Sequence, residues 1–198
     1  MSKKYLKGFS NFGFLVVTLN AVGGYTVDDS KYTAVPGGKS CSPTDNKTDY
    51  SIPADDGVWD SGSDWTDTTL VVTFTEMDLD TLSSITGAKF DSETDKIMDE
   101  GTFDEAPEVA LTFSALRRDG GYRLYRYYAA RCTGYKVSHT TKGENNDAQS
   151  YELTFKCVPR KSDNLIRSTK DVEKGDALTW IKKFAIAESQ TSTNQSST

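Results

Sequence analysis

The chain has 198 residues but only one histidine, His139, and three cysteines, Cys41, Cys132 and Cys157. A single histidine excludes any two-histidine metal site, and the cysteine spacing matches no zinc pattern. Three thiols cannot all pair within one chain, so reduced cysteines in a cytosolic setting are the simplest expectation. Long hydrophobic runs are lacking too: none approaches the ~20 apolar residues of a membrane-spanning helix. At the start, MSKKYLKGFSNFGFLVV places lysines before an apolar segment. Its unbroken core is only GFLVV and no A-x-A-like site follows, which argues against a secretory signal.

Signatures of catalysis are equally scarce. There is no G-x-S-x-G, no Walker-type loop and no Gly-rich dinucleotide fingerprint. Cys132 and His139 are seven apart, so on one strand they point to opposite faces. The pair reads as a buried cysteine and a surface histidine. Carboxylate neighbours such as Asp55-Asp56 carry no sign of desolvation. The acidic stretch DDGVWDSGSD fails the EF-hand pattern: from Asp56 the third position is Val58, and Ser61 stands where glycine is required. From Asp91, Lys96 takes the glycine position, which leaves only a looser calcium site as a metal reading. The expectation is a protein that is not an enzyme, with no catalytic residue, no metal and no cofactor.

What is present is a chain with 36% hydrophobic and 26% charged residues, 10 Tyr and 9 Phe. That composition fits one soluble globular domain with a modest core, completed by long polar loops or by neighbouring subunits. Charge is divided along it. Residues 41–110 hold 18 Asp/Glu against 3 Lys/Arg, and 111–185 hold 15 Lys/Arg against 8 Asp/Glu. Solvated faces of one fold account for any single charge. The split as a whole also suits a molecule whose acidic surface meets the basic surface of another copy.

FLVVTL (14–19), TLVVTFTE (69–76), EVALTFSAL (108–116), YRLYRYYAARC (122–132) and YELTFKCVP (151–159) read as strands, rich in Val, Tyr, Phe and Thr. Asp119-Gly120 predicts a tight hairpin between the third and fourth, and the polar stretch 139–150 joins the fourth to the fifth. Together they form an antiparallel meander. MDLDTLSSITGA predicts a short helix with Asp78 as N-cap and Gly87 as terminator. DALTWIKKFAIA predicts a second helical segment near the end, with Asp176 as N-cap. Residues 36–68 are rich in Gly, Ser, Asp and Pro, with Trp59 and Trp65 embedded. They read as a long loop without regular structure that must dock its tryptophans on something. The domain spans 1–186, and 187–198 reads as a disordered tail.

YRLYRYYAARC interleaves four tyrosines with three arginines. A single-stranded nucleic-acid platform would need a basic groove with aromatics on one face, and the acidic balance of the chain opposes it. Read with period two, the even positions (Tyr122, Leu124, Arg126, Tyr128, Ala130, Cys132) look like the core side. The odd positions carry Tyr125 and Tyr127 between arginines, a composition favoured at subunit interfaces.

Three blocks, in order, carry a family resemblance: YSIPADDGVWDSGSDWTDTTLVVTF (50–74), APEVALTFSALRRDGGYRLYRYYAARC (106–132) and SYELTFKCVPRKSDNL (150–165). The chain resembles the major tail proteins, or tail tube subunits, of long non-contractile-tailed bacteriophages. It departs from the pattern at Ser162-Asp163-Asn164, where Asp-Gly is expected. The resemblance implies a mainly β (α+β) fold: a β-sandwich or barrel-forming tail-tube fold with one flanking short helix and a C-terminal helical segment. It further implies homo-hexameric rings stacked into a tube, with a tape measure protein and a tail terminator as partners and no membrane. DNA would pass transiently through an acidic lumen without specific binding, because cationic walls would hold the phosphates. Such a protein is assembled in the host bacterial cytoplasm and ends in the virion tail. In that setting Asp55, Asp56, Trp59, Asp60 and Trp65 are expected in an inter-ring loop. Tyr125, Tyr127 and Arg131 are expected at a subunit boundary or in the barrel wall. Two alternatives stay open: another tail ring component such as a terminator, and a β-sandwich carbohydrate- or host-recognition module that stacks sugars on Trp59 and Trp65.

Overall fold

A computed structural model describes residues 5–19, 25–93, 96–139, 150–176 and 178–184. The loop expected over 139–150 falls almost wholly outside them, as does the tail 187–198. The strands are β1 (Leu6–Val16), β2 (Thr18–Leu19), β3 (Tyr25–Thr26), β4 (Thr33–Ala34), β5 (Gly38–Ala54), β6 (Gly57–Phe74), β7 (Lys89–Phe90), β8 (Met98–Asp99), β9 (Glu108–Arg117), β10 (Tyr122–Ser138), β11 (Ser150–Cys157) and β12 (Arg167–Val172). The helix α1 (Leu79–Thr86) begins after Asp78 and ends on Gly87, whose φ of 82° is the left-handed cap a glycine supplies. Among the described residues the fold is mainly β with one short α-helix, as expected.

The main sheet runs β4-β1-β9-β10-β11-β6-β5 with antiparallel neighbours throughout. β9, β10 and β11 form the anticipated meander, turning between β9 and β10 on Asp119-Gly120, where Asp119 accepts from the Gly121 amide at 3.2 Å. Along the other edge of β10, β12 pairs with Tyr122–Tyr127 and β11 pairs from Ala130 onward. The sheet curls until β1 comes against β5. Gly38 permits that approach: a Cβ there would fall 2.5 Å from the Phe9 ring.

Inside the curl lies the main core, including Phe12, Phe74, Leu111, Tyr127 and Phe155, with Leu82 and Ile85 of α1 packed into it. A smaller apolar layer covers the opposite face of β10. There Leu124, Val172 and Ile181 pack together, and Tyr128 and Ala129 meet Leu15, Ala110 and Phe184. Its cover is the C-terminal helical segment, which forms as a 3-10 helix, Leu178–Lys182.

This double cover explains the mixed pattern of YRLYRYYAARC. The register of β10 against β9 slips between Tyr127 and Ala130. Such a bulge turns the strand over, so Tyr125 and Tyr127 before it and Ala130 and Cys132 after it all belong to the main core. The even positions are not the core side throughout: Leu124, Arg126 and Tyr128 lie under the C-terminal segment. Both faces are therefore covered within one chain for most of the stretch.

Candidate assembly surfaces

Residues 36–68 are not an irregular loop. They form most of a β-ribbon, since β5 and β6 pair from Gly38↔Phe74 to Ala54↔Gly57. Asp55 and Asp56 form the two-residue turn with φ values of 46° and 65°. Positive φ at both positions marks a type I′ hairpin, whose twist matches the strands it joins, and aspartate tolerates that region. The ADDG motif is thus the tip of the ribbon. Pro43 and Pro53 are accommodated because β5 is the sheet's edge strand.

β11 pairs with β6 only from Thr68 to Phe74, so beyond Thr68 the ribbon pairs with itself alone. Ten residues at ~3.3 Å each carry it about 30 Å past the sheet. Along 57–66 nearly every residue is exposed, whereas 67–74 alternate between half-buried and buried. Ile52, Val58 and Trp59 are exposed near the tip, Trp59 by 76%. Trp59 is also the extra residue of a bulge, because Ile52 pairs with Asp60 and Pro53 with Val58. Bulges re-aim side chains, and this one leaves the indole uncovered.

Trp65 behaves differently. Its Nε1 donates to the Asp67 carbonyl at 3.1 Å and to Thr68 Oγ1 at 3.2 Å, and Arg167 lies over its ring. Arg167 donates through both terminal nitrogens to Asp45, at 3.0 and 2.9 Å, and Lys156 pairs with Asp67 at 3.5 Å. Asp45 also accepts from Thr68 at 2.8 Å. Part of the acidic block therefore meets the basic block inside one chain, at the ribbon root. Sequence reading missed Asp45 and Arg167, because β12 (RSTKDV) has no apolar alternation to announce a strand.

A second anchored feature is the chain's C-terminal segment. Arg126 is buried at 2% exposure, donates to the carbonyls of Trp180 and Lys183, and lies 4.0 Å from the Trp180 ring centre and 4.8 Å from that of Phe184. Asp29 accepts from the Phe184 amide at 2.8 Å. One cation on the carbonyls and one carboxylate on the following amide close the end of the 3-10 helix.

Of the other residues singled out from the sequence, Asp55, Asp56 and Asp60 lie with Trp59 on the outer ribbon. Tyr127 is fully buried and stacks with Phe113, as does the half-buried Tyr125. Tyr127 thus belongs to the chain's own core, with no ring surface left for a second copy. Arg131 is exposed, 4.0 Å from Glu108. Cys132 is buried and His139 exposed. Among the described residues no three of His, Cys, Asp and Glu gather as a metal site requires.

No protein-family model matches the chain, and no curated protein is similar to it in sequence. Among solved structures it is similar to the anti-feeding prophage cap (AFP tube terminating cap), with a TM-score of 0.47 and 11% identity over 87% of this chain and 95% of that one. It is also similar to a chain of an extracellular contractile injection system, the PVC sheath-tube complex in its extended state. There the TM-score is 0.41, with 11% identity over 82% of this chain and 90% of the other.

Proposed function

We propose that the chain is a structural tail-tube subunit that assembles into hexameric rings stacked head to tail, forming a conduit for DNA. The observation that carries this reading is the unsupported ribbon. An isolated two-stranded ribbon is marginal in water, yet this one extends about 30 Å with Ile52, Val58 and Trp59 uncovered at its end. A second copy that receives the tip would bury that surface and complete the sheet's support. Asp55, Asp56, Trp59 and Asp60 would then lie at the contact between rings, with Trp65 holding the root. Arg131, with the edge of Tyr125, would sit at a boundary within the ring. A tape measure protein inside the tube and a terminator at its end are the partners such a subunit would meet. An acidic chain of net charge -6 suits a conduit that passes DNA without holding it.

The recognition-module alternative stacks sugars on Trp59 and Trp65, and Arg167 occupies one face of the Trp65 ring. Purified protein viewed by negative-stain electron microscopy tests the proposal. Rings or tubes support it, and particles that stay monomeric at high concentration contradict it.

A further inference from the structure

Phe103 is 96% exposed, the most exposed of the large hydrophobic residues described. It does not sit on a loose loop. The Asp104 amide donates to the Gly101 carbonyl at 3.2 Å, and the Gly101 amide donates back to Asp104 Oδ2 at 2.6 Å, closing the turn from both ends. Just before it, Glu100 accepts the Tyr135 hydroxyl through both carboxylate oxygens, at 2.7 and 2.8 Å, which ties the turn to β10. With the backbone of its turn held, burial of the aromatic costs only its own side-chain freedom, which suits an interface anchor. Its flanks are acidic: Glu100, Asp104 and Glu105.

The chain also has a matching receptacle. A cavity of about 260 Å³ lies between β1, β4 and the C-terminal 3-10 helix, lined by Phe12, Tyr32, Ala34, Leu178, Ile181 and Lys182 together with Asn11. An apolar cavity of roughly 150 Å³ is enough to hold a benzene ring. Lys182 stands at this site, 5.7 Å from the Tyr32 ring centre. Two other cavities are lined by Glu76 and Asp78, and by Asp55 and Asp56. Both would repel an acidic turn, so of these three cavities charge favours the one beside Lys182.

We propose that Phe103 of one copy seats in the cavity between β1, β4 and the C-terminal helix of a second copy, with its acidic flank toward Lys182. The inference rests on the self-assembly proposed above and names one of its contacts. Knob and receptacle are different surfaces of the same chain, so a contact made in one direction only, as head-to-tail assembly requires, is heterologous. Such a contact propagates into rings or filaments and does not close a dimer.

The test places a photo-crosslinking benzoylphenylalanine at position 103 in full-length protein mixed with isotope-labelled copies. Intermolecular crosslinks to residues 32–34 or 178–182 are expected, and crosslinks confined to other regions overturn the contact. In parallel, Phe103→Ser should leave the melting temperature unchanged and weaken self-association at least tenfold. Lys182→Glu should weaken it as well, and Glu105→Lys in the same chain should restore it. Wild-type-like assembly of Phe103→Ser overturns this contact and leaves the proposed function standing. A wild type that never associates overturns both.

Discussion

The guanidinium of Arg167 lies 4.8 Å from the centre of the Trp65 ring while both its terminal nitrogens grip Asp45. One side chain therefore joins β12 to both strands of the ribbon at its root. Arg167→Ala should cost about 1–2 kcal/mol, combining a cation–π contact with a partly exposed ion pair. The loss should be local: hydrogen exchange over 45–66 should accelerate several-fold while the main core keeps its protection. Arg167→Lys should not restore it, because an ammonium lacks the planar two-pronged fork.

The two tryptophans should separate cleanly under substitution. Trp59→Ala removes an exposed side chain and should shift stability by no more than about 0.5 kcal/mol. If Trp59 anchors a second copy, self-association should fall by at least tenfold, as for interface hot spots. Trp65→Ala should lower the melting temperature, because it removes two hydrogen bonds and the Arg167 contact. Sedimentation velocity and thermal unfolding on both variants check the contrast.

Arg126→Met keeps much of the side-chain length but abandons the carbonyls of Trp180 and Lys183. Groups buried without their charged partner make such losses costly, and about 2–4 kcal/mol is expected. The 178–184 segment should come free first. Limited proteolysis should cut there in the variant under conditions that spare the wild type.

Alkaline pH should unfold the protein earlier than its charge balance alone explains. Burial pushes the thiols of Cys41 and Cys157, and the Tyr127 phenol, up to about 12. The folded state thus keeps protons that an unfolded thiol releases near pH 9. Stability should be flat with respect to these thiols below pH 9 and fall above it, by about 1.4 kcal/mol per pH unit for each thiol so held. Urea midpoints at pH 7.5, 9 and 10.5 measure the slope, and Cys157→Ala should make it shallower.

Strands with Val, Tyr and Phe in alternation were legible from sequence, as were the Asp119-Gly120 turn and α1 between Asp78 and Gly87. The turn and the Gly87 end of the helix are decided by local chemistry, whereas the Asp78 side chain makes no capping hydrogen bond. β5 was not legible, because GKSCSPTDNKTDYSIPA has the composition of a loop and becomes a strand only by pairing with β6. Asp55-Asp56 closes that ribbon, but a turn signal is informative only once its flanks are seen as strands. The odd face of YRLYRYYAARC called for a cover, and the chain supplies most of it from its own core. A bulge at 128–129 decided that outcome, and periodicity cannot anticipate a register slip. Arg126 falls among the even positions read as the core side, but its partners, 54 and 57 residues away, could not be named without the fold.

The proposed function requires that this chain complete itself with copies of itself. Sedimentation velocity over a hundredfold concentration range, followed by negative-stain imaging of the heaviest species, tests it most directly. A concentration-dependent shift from monomer to rings and stacked rings is expected, with the stacking of rings weakened at least tenfold by Trp59→Ala in a folded protein. A single monomeric boundary at every concentration, with no rings on the grid, would contradict it.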